Sequence, residues 1–220
     1  VLGRGAAGYA LLAAGLEPGE RGGVVRGGDD VVAVGSAAPG TAAWAVEGFL
    51  PPEPPLAAGP AGAAAGATAM MDVSDGLVRD AGRIARASGV VVDLDDPYAW
   101  PDLDLLLAPA EAVGARDAAA PTGAPDVRRT ALSWLLTGGE DHGILATFPA
   151  DAALPAGFRR LGVVRTAGTA GTAGTVGTAA GEGAGPGPRD GATAPGVLVD
   201  GRDPADLGID AGGWDHFAGG

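Results

Sequence analysis

Apolar and polar positions along this chain change period several times, and the changes mark out its elements. Ala6-Ala7-Gly8-Tyr9-Ala10-Leu11-Leu12 is a run of small and apolar residues that predicts a buried helix through about Ala14, with Gly15 as its stop. Val31–Val34 predicts a short strand, and Thr41–Leu50 a short helix carrying Trp44 and Phe49. Pro51-Pro52-Glu53-Pro54-Pro55 cannot continue that helix, because proline removes backbone donors and fixes φ; it predicts an extended connector. Ala57–Ala67 is a small-residue segment of helical character, and Thr68–Val73 reads as a buried strand. From Asp75 the period becomes helical: Leu77, Ala81, Ile84 and Ala85 recur on one face, Arg79, Asp80, Arg83 and Arg86 fall on others, and Gly89 ends the run. Val90–Leu94 is a second strand. A helix follows near Ala131–Leu136, then a turn at Gly138–Asp141, a strand over Gly143–Phe148 stopped by Pro149, a further strand or helix–strand junction over Phe158–Val164, and a strand and turn over Val197–Gly201.

Composition changes this picture in one stretch. Thr166–Gly196 is Gly, Ala and Thr with almost no large side chain, and it cannot bury enough surface to offset its ordering entropy; it predicts a flexible inserted loop. Hydrophobic residues make up 46% of the chain, but alanine supplies much of that. The net charge of −13 argues against a sequence-independent grip on nucleic acid or anionic lipid. All 14 bases are arginine, which excludes a Schiff-base lysine and the lysine of a phosphate-binding P-loop. With Cys 0 there is no disulfide, thiolate nucleophile or zinc–thiolate site. No long apolar run free of glycine and charge is present, nor a signal-peptide pattern, so a soluble, cytoplasmic protein is expected.

Candidate chemistry gathers in two runs. Asp72-Val73-Ser74-Asp75-Gly76-Leu77 places two carboxylates and a hydroxyl at the junction of a strand and a helix, and Gly138-Gly139-Glu140-Asp141 adds two more acids behind a glycine pair. Magnesium takes hard oxygen ligands and keeps several waters, so one or two carboxylates together with substrate phosphates commonly hold it. The start of the helix adds free backbone N–H groups that favour anions. Spacing alone leaves a second reading open, in which Ser74 or Asp75 caps the helix and Asp72 is a solvated turn residue.

The residues themselves narrow the choice. Asp72-Val73-Ser74-Asp75-Gly76-Leu77 with Arg79-Asp80 and the G-x-I-x-x-A-S-G run Gly82–Gly89 behind it, followed by the L-x-G-G-E-D run Leu136–Asp141, resembles the thiamine-monophosphate kinase family. Ala6-Ala7-Gly8 with Leu11-Leu12, the connector with Pro54-Pro55, and Trp214-Asp215-His216-Phe217 extend the resemblance to most of the chain outside the inserted loop. It implies an α+β fold, a mixed β-sheet with packed helices like the C-terminal domain of the aminoimidazole ribonucleotide synthetase-like superfamily. It implies Asp72 and Asp75 as Mg2+ ligands, Ser74 as a contact to ATP phosphates, and Glu140 and Trp214 as contacts to thiamine monophosphate. Stacking on Trp214 is physically apt for a flat cationic ring. The reaction implied is in-line transfer of the ATP γ-phosphoryl group to thiamine monophosphate, which needs no covalent enzyme intermediate. A homodimer is implied for full-length members.

Three departures qualify the resemblance. The family's G-G-E-D-Y-E-L reads here Gly138-Gly139-Glu140-Asp141-His142-Gly143-Ile144, so His142 stands in the tyrosine's packing place and the second glutamate is absent. His216, in the closing Asp215-His216-Phe217 run, is expected to pack or cap. Nothing matches the family's N-terminal ATP-binding domain; residues 1–220 are expected to be the C-terminal domain, with 166–196 as its insertion, and to hold part of a site that is inactive alone. A truncated, non-catalytic domain is one alternative. A dinucleotide-binding enzyme is another, since Gly3-Arg4-Gly5-Ala6-Ala7-Gly8 satisfies G-x-G-x-x-G, but only Val1 and Leu2 precede it, and helix packing through small residues accounts for it better.

Overall fold

The computed structural model describes residues 2–14, 26–27, 30–31, 38–50, 54–117, 126–168 and 194–209. Trp214, His216, most of the Thr166–Gly196 insertion, Val32–Val34 and Pro51–Glu53 lie outside the described residues. The helices are α1 (Arg4–Ala13), α2 (Ala42–Phe49), α3 (Ala58–Ala64), α4 (Leu77–Ser88), α5 (Pro101–Asp117) and α6 (Val127–Thr137). The strands are β1 (Arg26–Gly27), β2 (Asp30–Val31), β3 (Ala69–Val73), β4 (Val90–Leu94), β5 (Gly143–Thr147), β6 (Gly162–Thr166) and β7 (Gly196–Val199). Among the described residues no helix is long and apolar enough to cross a membrane.

The architecture is α+β with a mixed sheet, as the resemblance implies, and its strands divide into separate sets. β4 lies at the centre of a three-stranded sheet, antiparallel to β6 and parallel to β7. β3 pairs antiparallel with β5 in a ribbon of its own, and β1 with β2 in a third. Composition explains the difference between the first two. Val91, Val92, Asp93 and Leu94 of β4 are all buried, as a valine-rich central strand covered on both faces requires. In β3 the alternate residues Met70 and Asp72 are exposed and Val73 is buried, so one face of the ribbon looks outward.

α4 packs against β3, β4 and β7 and against α6, and Leu77, Val78, Ala81 and Ala85 join Val92, Leu94, Leu135, Leu136 and Val199 in the core. α1 lies against α2, and α5 against α6 and α1. The helix ends follow side-chain chemistry: the Thr41 hydroxyl accepts from the Trp44 amide at 3.2 Å, and the Asp126 carboxylate accepts from the Arg128 and Arg129 amides at 3.1 and 3.3 Å. Gly89, with φ 66, ends α4 in the left-handed conformation that glycine adopts without strain. The longest element without a counterpart in the sequence reading is α5. Its first turn alternates Asp102 and Asp104 with leucines, and Pro109 interrupts its middle, so neither a helical nor a strand period stands out.

The G-x-G-x-x-G run is a packing device. Gly5 and Gly8 lie within α1, and a Cβ on Gly8 would sit 2.4 Å from the Ala45 carbonyl oxygen and 2.7 Å from Phe49 Cβ of α2. The glycine lets two helices approach closer than any side chain allows. Gly8→Val is therefore expected to lower stability by about 2 kcal/mol. Gly59→Ala in α3, where an added Cβ meets nothing within 4 Å, should be neutral or stabilising by about 0.5 kcal/mol. Equilibrium urea unfolding of both variants checks the pair, and equal effects would contradict the packing account.

Candidate functional site

The two acid-bearing runs lie side by side because β3 and β5 pair. Asp72 is opposite Ile144 and Val73 opposite Gly143 in the ladder. The pairing continues past the strands, with the His142 amide donating to the Val73 carbonyl and the Glu140 amide to the Ser74 carbonyl, both at 3.0 Å. A second junction runs through Gly76, whose φ of 112 suits glycine alone and whose Cβ would fall 2.5 Å from the Thr137 carbonyl oxygen, at the end of α6. The glycine holds the first turn hard against the helix that leads into the second.

Asp80 organises the first turn from inside. Its side chain is fully buried, and one oxygen accepts the amides of both Ser74 and Asp75 at 3.0 Å. Its other oxygen accepts from Arg83 Nη1 at 2.6 Å. Arg83 Nη2 is ion-paired with Asp75, and Arg79 Nε lies 3.9 Å from the same Asp75 oxygen. The Arg83 guanidinium is held above its ordinary pKa chiefly by its hydrogen bond to Asp75, with the charges of Asp75 and Asp80 adding to it. This corrects one sequence expectation: the turn amides of Ser74 and Asp75 are not free for an anion.

The second turn is strained where it faces the first. Glu140 and His142 have φ of 66 and 50, the left-handed region that non-glycine residues adopt at a cost of about 1 kcal/mol or more each. Their amides are the two that bond β3 and the turn after it, so the pairing holds the strained backbone in place. The side chains meet at 3.2 Å between His142 Nε2 and a Glu140 carboxyl oxygen. Asp141, between them, points the other way. It accepts the Gly3 amide at 2.5 Å and the Gly5 amide at 3.0 Å, capping α1 from a distant part of the chain. Burial pushes the Asp141 carboxyl up to about 6, against the lowering effect of the Gly5 and Gly3 amides. Sequence reasoning missed this cap. The available signal was Gly3-Arg4-Gly5 itself, a helix start without a capping side chain of its own.

The sequence-predicted residues thus fall into two groups. Asp72, Ser74, Asp75 and Glu140 belong to one pair of bridged turns, with Asp72 exposed and the Asp75 side chain 20% exposed. Trp214 lies outside the described residues. Among the described residues no group of three or more His, Asp or Glu stands together as a metal cage. The donor set at Asp72 and Asp75, two carboxylates with neither nitrogen nor sulfur, fits Mg2+ sharing its shell with phosphate oxygens and water. A cleft of about 440 Å³ opens elsewhere: it is lined by Val73, Leu77, Leu145 and Phe158 and by the ion pair of Asp102 with Arg159, and includes none of these four residues.

Comparison with known proteins bears on the same reading. No family model matches the chain. It is 40% identical over 140 residues to a curated protein of Mycobacterium tuberculosis named thiamine-monophosphate kinase, covering 60% of this chain and 37% of that one. With a protein of the same name from Corynebacterium glutamicum it is 43% identical over 101 residues, covering 46% of this chain and 25% of the other. The chain thus spans little more than a third of the curated relatives it matches. A solved structure described as AaThiL complexed with AMPPCP and TMP has the same fold, with a TM-score of 0.53 over 99% of this chain and 49% of that one at 20% identity. The resemblance read from the two acid runs is therefore one that the sequence carries, and the α+β fold is shared.

The Asp141 cap has a pH signature. Between the ordinary value of 3.8 and about 6, the folded chain keeps a proton on Asp141 that the unfolded chain has released. This group therefore stabilises the fold on the acid side, and the contribution is lost as pH rises through about 6. Asp141→Asn carries no charge at any pH, so its stability relative to wild type should improve from pH 4 to pH 7.5 by on the order of 2 kcal/mol. Urea midpoints across that range measure the difference; a constant gap would contradict the buried, titrating cap.

Proposed function

We propose that this chain forms one wall of a site that transfers the γ-phosphoryl group of ATP to thiamine monophosphate, giving thiamine diphosphate. The observation that supports it best is the bridging of the two acid-bearing turns by the Glu140 and His142 amides, in a chain whose sequence resembles thiamine-monophosphate kinase. In this reading residues 1–220 are the C-terminal domain, 166–196 its insertion, and an N-terminal domain supplies the remaining ATP contacts. The assembly is read as a cytoplasmic homodimer with no nucleic-acid or membrane partner, consistent with a net charge of −13.

Each residue has a definite task. Asp72 and Asp75 would hold Mg2+, which would supply charge neutralisation at the phosphate oxygens. Ser74 contacts an ATP phosphate through its hydroxyl, since its amide is committed to Asp80. Glu140, fixed by its bond to the Ser74 carbonyl, faces thiamine monophosphate, and Trp214 stacks near the ring. His142 restrains the Glu140 carboxylate. The acceptor is a phosphate oxygen already ionised near neutral pH, so no side chain of this chain has to remove a proton. Catalysis here is positioning and charge neutralisation, which a chain without lysine or cysteine can supply.

The test replaces the matching stretch of the Mycobacterium tuberculosis relative with this chain and assays ATP-dependent thiamine diphosphate formation. The chimera should turn over, and Asp75→Asn within it should lower kcat at least about a hundredfold. The 220-residue chain alone should form no product. A folded but inactive chimera would favour a non-catalytic domain instead, and turnover by the isolated chain would overturn the partial-site reading.

A further inference from the structure

We propose that Arg83 is the internal counter-ion of the Asp75 carboxylate, held in place by the buried Asp80, and that it sets how readily Asp75 exchanges an arginine for a divalent cation. The inference rests on the reading of Asp75 as a metal ligand. One guanidinium bridges two carboxylates: Nη2 engages Asp75, and Nη1 lies 2.6 Å from Asp80 Oδ1. The other Asp80 oxygen holds the Ser74 and Asp75 amides at 3.0 Å, so a single buried group fixes both the backbone that carries Asp75 and the arginine that engages its side chain.

Exposure makes the arrangement exchangeable on one side only. Asp80 is 0% exposed and keeps two amide donors whatever Arg83 does, whereas the side chains of Arg83 and Asp75 are 40% and 20% exposed. The Arg83–Asp75 contact can therefore open toward water while the Asp80 contacts persist. Arg79, whose Nε is 3.9 Å from the same Asp75 oxygen, is a longer and weaker second cation. A cation approaching Asp75 meets a competitor for its ligand and a like charge beside it, and both effects weaken binding. With Arg83 in place, Asp75 stays compensated and correctly oriented until a cation and its phosphates together displace it.

The test measures Mn2+ affinity of the full 220-residue chain by the free-ion electron paramagnetic resonance signal, with circular dichroism to verify folding. Arg83→Gln should bind Mn2+ about three- to tenfold more tightly than wild type through an increment that Asp75→Asn, added to it, removes. Arg83→Lys, which keeps the charge but cannot bridge both carboxylates, should fall between them and serves if the Gln variant fails to fold. Affinity in Arg83→Gln or Arg83→Lys equal to or weaker than wild type, with Asp75→Asn still lowering wild-type binding, overturns the counter-ion role and leaves the metal reading standing. Binding unaffected by Asp75→Asn in every background, or absent from every variant up to about 50 mM Mn2+, overturns both.

Discussion

A carboxylate removed from solvent has to be compensated on every side, and Asp80 shows how much structure one such group can organise. It draws in two backbone amides and an arginine, and those three partners are the turn between β3 and α4 and the counter-ion of Asp75. The turn can then lie flat against the end of α6, where Gly76 leaves no room for a side chain. Its carbonyl at Ser74 receives the Glu140 amide. Remove the buried charge and the turn loses its reason for this shape.

In the second turn Asp141 does comparable work. Capping α1 through Gly3 and Gly5 ties the Gly138–Asp141 turn to the helix layer, while Glu140 and His142 tie it to β3. Consecutive residues thus point to opposite partners, and the left-handed backbone at Glu140 and His142 is the conformation this alternation demands. Strain of this kind persists where neighbours over-determine it, and it occurs here at Glu140, read as facing substrate, and at the His142 that bonds its carboxylate. A site for phosphates in a chain of net charge −13 also makes physical sense only with cations interposed, which is the part assigned to Mg2+ and, before it, to Arg83.

Sequence periodicity disclosed the elements nearest the site. β3, α4 and β4 are bounded by abrupt changes of period at Asp75 and Gly89, and the structure places them at Ala69–Val73, Leu77–Ser88 and Val90–Leu94. It could not disclose partners. That β4 pairs in parallel with β7, more than a hundred residues on, depends on a crossover no local pattern encodes. Spacing sets Asp80 off the apolar face of α4 without showing its burial, because spacing fixes which face a residue occupies and not what lies against it. The nearness of Asp72, Ser74 and Asp75 to Glu140 was legible only through resemblance. The arginine on Asp75 and the cap made by Asp141 were legible by neither route.

The two turns are bonded to each other and should behave as one unit. Native-state amide hydrogen exchange at Ser74, Asp75, Glu140 and His142 measures this directly, because each amide is bonded across or within that unit. All four should open together, with one free energy close to that of β3. Rapid local exchange at Glu140 and His142 while Ser74 and Asp75 stay protected would show that the turns move apart independently, and would contradict it.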